Sequence, residues 1–293
     1  MKHLEYYVIC GALLFSIGLS YAFYKKSIAE ERQILEEATY NLVNTWELPE
    51  LLNEVSGIAW VNDSTIACIQ DEEGAIYHFN LNTGEISYDT VFSENADYEA
   101  LALDQENAYV MRSDGRIFEV LDYVGDNQTV QHFDTAFDED NNMESLTLDP
   151  KSRELITVAK DEGLEEKDLK GLYRIDIGTR KQEEQPFMTI NMKDKAFEAF
   201  QKKDAEKTFS PSDLAIHPKT GDYYIVDGKK PKLLILSATG KVKAVHELNP
   251  FHFAQPESIT FSPQGTLYIA NEAATGVATL HEVTLEEPKA NSN

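Results

Sequence analysis

Five short segments of this chain share one pattern: 54–59 (EVSGIA), 97–102 (DYEALA), 142–147 (NMESLT), 210–215 (SPSDLA) and 255–260 (QPESIT). With Gly57, Ala100, Ser145, Asp213 and Ser258 as markers, the spacings are 43, 45, 68 and 45 residues. A period of roughly 40–50 residues is the mark of propeller blades. The interior of each repeat agrees. In the first, 57–61, 65–69, 75–79 and 86–92 are apolar, β-branched or aromatic runs, divided by turn residues at 62–63 and 82–84. That makes four strands per repeat.

The last repeat has strands at 258–261, 266–270 and 279–283 but no clear fourth. Residues 40–48 (YNLVNTWEL) precede the first repeat and have strand character, so they supply the missing strand and close the ring. Closure removes exposed sheet edges. The expected fold is an all-β propeller of five four-stranded blades, or six if further strands lie in the long gap. That gap is too short for two blades. It predicts an insertion at about 181–208, in which 196–200 reads as helix with Phe197 and Phe200 on one face. It forms either a lid over one face or a decoration on the side of a blade.

Ahead of the repeats, 6–24 is a charge-free run of 19 residues closed by Lys25 and Lys26. About 20 such residues span a bilayer as a helix. Ser20 and Ala22 also frame a small-x-small cleavage site, so 1–26 is either a signal anchor or a signal peptide. Residues 27–38 read as a charged stalk, 39–286 as the propeller and 287–293 as a polar tail. The two lysines alone favour a cytoplasmic propeller. The acidic, cysteine-poor domain instead suits a calcium-rich compartment. The expectation is therefore a single-pass plasma-membrane protein with its propeller outside the cytoplasm, or a secreted or periplasmic one after cleavage.

Composition narrows the function. With 51 Asp+Glu against 26 Lys+Arg the formal charge is −25, which excludes a general nucleic-acid binder. Cys10 and Cys68 are the only cysteines, too few for a disulfide scaffold or a Cys/His metal cluster. No nucleophile elbow, phosphate-binding loop, zinc helix or EF-hand is present.

In a propeller the inner strand starts, and the second strand ends, on one face of the disc. Residues just before the first strand and just after the second therefore meet around the central channel. Glu99, Glu144 and Glu257 occupy equivalent positions there, with Ser56 and Ser212 in the other two repeats. The second strands end on Asp71, Arg112, Lys160, Asp161 and Asn271 or their neighbours. Three carboxylates in register repel one another and call for a cation. A hard divalent ion with oxygen ligands, Ca²⁺ most simply, would relieve them, with Asp71, Asp161 and Asn271 as further ligands. Arg112 and Lys160 are the other neutralisers and would equally hold an anionic ligand. Asp71, Asp161 and Asn271 also fit ordinary turn chemistry.

Segments 54–59 and 69–77 (IQDEEGAIY) resemble the opening signature of the SdiA-regulated, YjiK-like proteins. Segments 98–102, 210–218 and 255–261 resemble its later blocks, so the likeness covers about 45–285. It implies a bacterial β-propeller that is membrane-associated or exported. The glutamates and Asp71 are the positions that carry over, and the insertion before Ser210 is a departure. Two functions fit: a binding or scaffold module at the cell envelope, for a small molecule or an envelope protein, and a metal-dependent hydrolase of lactonase or phosphoesterase type using the same site.

Overall fold

A computed structural model describes residues 20–21, 25–26, 38–274 and 276–286. The expected membrane or signal segment, 1–26, falls outside the described residues apart from Ser20, Tyr21, Lys25 and Lys26, as do the expected stalk apart from Ala38 and the polar tail. Among the described residues no helix is long and apolar enough to cross a membrane. The described residues from Tyr40 to Glu286 form one compact unit.

That unit is a five-bladed propeller. Blade 1 is β2 (Val55–Asn62), β3 (Thr65–Gln70), β4 (Ala75–Asn80) and β5 (Glu85–Val91). Blade 2 is β6 (Tyr98–Asp104), β7 (Asn107–Arg112), β8 (Arg116–Leu121) and β9 (Thr129–Asp134). Blade 3 holds β10 (Thr147–Asp149), β11 (Glu154–Val158) and β12 (Leu169–Asp176), and its outer strand is split into β13 (Lys181–Gln182) and β14 (Met188–Asn191), both paired with β12. Blade 4 is β15 (Pro211–Ile216), β16 (Tyr223–Asp227), β17 (Lys232–Leu236) and β18 (Val242–Glu247). Blade 5 is β19 (Pro256–Phe261), β20 (Leu267–Asn271) and β21 (Thr279–Leu285), completed by β1 (Tyr40–Glu47).

Strand β1 pairs antiparallel with β21 from Tyr40–Leu285 to Glu47–Thr279, so the ring closes as the sequence predicts. The seam is pinned on both sides. Tyr40 lies edge-on to Phe253 at 5.1 Å, and the Trp46 indole donates to the Leu81 carbonyl of blade 1 at 2.8 Å.

Turn chemistry sets the blade edges. The Asn80 side chain accepts from the amides of Asn82 and Thr83, and Gly84 takes the left-handed φ of 71° that ends the turn. Inner and middle strands such as β3 and β4 are almost continuously buried, because both faces of a blade pack on neighbouring blades. Outer strands β5 and β9 face solvent and read polar. The core is thus a set of layers between blades. One joins Ile58, Ile66 and Phe79 of blade 1 to Tyr268 and Leu280 of blade 5. Another joins Ile156 and Leu172 of blade 3 to Leu214 and Leu234 of blade 4.

The inserted region seals that second layer. The expected helix is only a 3₁₀ turn, Lys195–Phe197, capped by the Asp194 side chain accepting from the Ala196 amide at 2.8 Å. Phe197 and Phe209 are fully buried in the layer, and the Lys232 ammonium sits 5.7 Å from the Phe200 ring. Burying Phe197 anchors the segment to blades 3 and 4, and its return, Glu206 and Lys207, borders a cavity shared with Asp161, Ser210 and Asp227; fully burying such a side chain is worth about 2 kcal/mol or more.

Candidate functional site: the acidic channel mouth

The inner strands carry a feature that alignment alone does not reveal. Each has a one-residue bulge at the same place. Pairing slips between Val55 and Gly57, between Tyr98 and Ala100, between Pro211 and Asp213, and between Pro256 and Ser258. In blade 3 the same offset separates the isolated Met143–Ala159 bridge from the Thr147–Ile156 pair. The extra residues are Ser56, Glu99, Ser212 and Glu257, with Glu144 inside the blade 3 irregularity. A bulge re-aims the side chain it carries. Here it turns the aligned glutamates out of the sheet and toward one mouth of the channel.

Lys160 is the cation they meet. Its ammonium makes an ion pair with Glu144 Oε2 and lies 3.5 Å from Glu257 Oε2. All three side chains are buried. Burial would lower the Lys160 pKa, but Glu257 and Glu144 outweigh it and hold the ammonium above its ordinary value. Glu99 feels the same group without a close partner. Burial, then Glu144 and Asp97, push its carboxyl up to about 10. Burial likewise lifts Glu144 to about 8, with Lys160 opposing. The mouth therefore holds more buried carboxyl groups than one ammonium neutralises, and it stores the excess as protons.

Around this centre lie further oxygens. Burial, then Glu54 and Glu272, raise Asp71 to about 6, and its buried Oδ1 receives no hydrogen bond. Asn271 donates to Thr279 Oγ1 at 3.2 Å while its own buried Oδ1 accepts nothing. Glu272 accepts from the Gln255 amide, and burial followed by Glu257 and Glu54 raises its pKa. Gly228 leaves the space that Glu257 fills, since a Cβ there would sit 2.8 Å from Glu257 Oε1.

The other sequence candidates are placed differently. Asn142 links Glu144 (2.8 Å) to Asp161 (3.2 Å), but Asp161 is claimed by Lys229 at 2.7 Å. Burial raises the Asp161 pKa and the Lys229 contact more than offsets it, leaving a firm carboxylate. Arg112 folds back on Asp114, with Nε at 2.9 Å and a second, shorter contact, and no hydrogen bond or ion pair joins it to the Glu–Lys cluster. Among the described residues no group of three or more His, Cys, Asp or Glu side chains is arranged to hold a metal ion by itself.

Two supporting residues carried no clear signal in the sequence. Lys170 on β12 is 2% exposed and donates to the carbonyls of Ala159, Lys160 and Asp161 at 3.2, 2.9 and 2.6 Å. It clamps the backbone that presents Lys160, and burial lowers its pKa to about 8. Asp213 is the waist of the channel. Its Oδ2 accepts from Ser258 Oγ (2.6 Å) and the Ile259 amide (2.9 Å), and Oδ1 from the amides of Leu214 (2.8 Å) and Leu146 (3.4 Å). Ser258 Oγ in turn accepts from the Ile58 amide at 2.7 Å, so the network joins four blades at the axis. Burial nevertheless lifts the Asp213 pKa to about 8 against these donors. In the alignment Asp213 is merely the odd member of a column of small residues.

The class these features define is a five-bladed β-propeller with an acidic, lysine-centred channel mouth. No protein-family model and no curated protein matches the sequence. Solved structures match the fold. Myxococcus xanthus glutaminyl cyclase superposes with a TM-score of 0.58 at 13% identity, covering 84% of this chain and 96% of that one. A streptogramin B lyase superposes with a TM-score of 0.50 at 12% identity, covering 85% of this chain and all of that one (100%). At such identities the likeness is one of fold.

Proposed function

We propose that this propeller is a binding module whose acidic mouth takes a cation, with Lys160 as the resident counter-ion that the ligand replaces. The observation carrying this is the gathering of Glu99, Glu144 and Glu257 from three blades at one mouth, where Glu144 and Glu257 share one buried ammonium and burial, with the neighbouring carboxylates, raises the pKa values of Glu99 and Glu144. A hard divalent ion, Ca²⁺ first, suits oxygen-only donors. The undonated oxygens of Asp71 and Asn271 fit the same demand, because a buried acceptor without a donor costs about 1–3 kcal/mol and is relieved by a cation. The test is calorimetric titration of Ca²⁺ into chelator-treated protein, beside a Glu99→Gln/Glu144→Gln variant. Saturable binding that the variant loses supports the reading, and equal binding in the variant rules these residues out.

A hydrolytic reading rests on one observation: Glu144 and Asp71 titrate at about 8 and about 6, in the range suited to proton transfer. A bound metal would supply Lewis acidity to an ester there. Asp71 would be the base, since Lys229 keeps Asp161 ionised and occupied. Ester turnover abolished both by chelation and by Asp71→Asn would establish it. An envelope location is supported by the 6–24 segment and by the resemblance to the SdiA-regulated proteins, and a propeller outside the cytoplasm by the acidic, cysteine-poor domain, against the two lysines that close the segment. Recovery of the chain in soluble cytoplasm rather than in membrane or exported fractions would overturn it.

A further inference from the structure

The channel has a second mouth, on the far side of the Asp213 waist, and its chemistry is the reverse of the first. Three residues past each marker stand Trp60, Leu103, Leu148, Ile216 and Phe261, one per blade. All five are only partly buried, although they sit on inner strands. Between them and the waist the strands carry small side chains, Ala59, Ala102, Thr147, Ala215 and Thr260, which keep the lumen open. These residues line a cavity of about 650 Å³. That volume lies within the usual range for small-molecule sites, which are concave, mostly apolar and edged by a few polar groups. Trp60, Leu103, Leu148 and Ile216 each pack with one side on a layer between blades, and the surface left over, with that of Phe261, lines the cavity in register from five blades.

The rim supplies the polar groups. Lys151 borders the cavity, and its ammonium lies 3.9 Å from a Cβ placed on Gly221, another lining residue. A Cβ on Gly265 would meet His217 Nε2 at 3.2 Å and the Lys219 ammonium at 3.9 Å. His217 Nδ1 accepts from the amides of Lys219 and Thr220, both at 3.3 Å, so the neutral ring carries its proton on Nε2. No ion pair with a described residue ties up Lys151 or Lys219. In a chain of charge −25, basic and donor groups gathered at an apolar opening indicate an anion. Asp149 also lines the rim, where its Oδ1 is engaged by the Lys151 amide at 2.9 Å.

We propose that this mouth binds an amphiphile with an apolar body and one carboxylate. The body enters the ring of Trp60, Leu103, Leu148, Ile216 and Phe261, and the carboxylate meets His217 Nε2 and the Lys151 and Lys219 ammoniums. The site is independent of the cation site, because the Asp213 network lies between them.

Trp60 is one of two tryptophans in the chain, the other being Trp46. In the full-length chain carrying Trp46→Phe, Trp60 emission is followed during titration with decanoate and, separately, decanol. The expected result is a saturable shift with decanoate and binding of decanol weaker by about threefold or more, the size of a partly exposed ion pair. Adding Lys151→Glu and Lys219→Glu, both at the surface, removes the preference. No saturable change with either probe overturns the site, and equal affinity for the two probes overturns its anionic specificity. Glu99→Gln leaves decanoate binding unchanged, so failure of the cation reading does not bear on this one.

Discussion

The two mouths of one channel are built from adjacent positions of the same five strands, yet they are chemical opposites. One residue before the marker, three of five repeats place glutamate, and the mouth there is charged, buried and short of counter-ions. Three residues past the marker, all five place a large apolar side chain, and the opening there is half-exposed and uncharged inside its rim. The difference comes from the bulge. Without it, the residue before the marker would stay in the pleat and pack between blades, where an unpaired carboxylate is prohibitively costly. With it, that residue leaves the sheet and enters the channel. The Asp213 network then separates the two environments. A local defect in strand pairing, repeated in every blade, thus makes one scaffold bipolar.

The acidic mouth depends most heavily on Lys160. Lys160→Met leaves Glu144 and Glu257 buried without their cation, and should cost about 3 kcal/mol at pH 8 by calorimetric melting. The loss should shrink near pH 5, where protonation removes the charge, and saturating Ca²⁺ should restore much of it. Next in size is the waist. Asp213→Ala strands the donors of Ser258, Ile259 and Leu214 and should cost about 2 kcal/mol, readable as a shift in denaturant midpoint.

A smaller effect is the pH slope. Glu99 and Glu144 have folded pKa values above their ordinary ones. Their contribution is therefore complete below the usual carboxyl range and is lost as pH rises through about 8 and then about 10. The melting temperature should fall between about pH 5 and pH 9, and Glu99→Gln should flatten that fall. An unchanged slope in the variant would remove Glu99 from the crowded group. The smallest effect belongs to the apolar mouth. Leu148→Ser removes a half-exposed side chain and should cost no more than about 1 kcal/mol, leaving the pH slope as it was.

Much of this was legible in the sequence. The repeat period gave five blades, and the strand pattern of 40–48 gave the closure, because both depend on local turn chemistry and alternation. Alignment put Glu99, Glu144 and Glu257 in one column for the same reason. Propeller topology put that column at the channel, but the bulge that turns its side chains there was not legible, because a bulge is a pairing event between strands and leaves no mark on either strand alone. Lys160, offered as one neutraliser among several, became the centre through contacts across blades. Arg112, equal to it on paper, is taken by Asp114 two residues away. The spacing of Phe197 and Phe200 predicts a helix at 196–200, but tertiary burial of Phe197 needs only one 3₁₀ turn. Asp213 was hidden by its own alignment, where it stands among small residues and its four donors come from distant segments.

On the proposed reading, Lys160 occupies a cation site. Calorimetric titration of Ca²⁺ into the wild-type chain and into Lys160→Met tests it most directly. Saturable binding is expected in both, tighter in the variant because the glutamates no longer have an ammonium to release. Weaker binding in Lys160→Met, or none in either chain, would contradict it and leave the cluster as a buried ion pair that joins three blades.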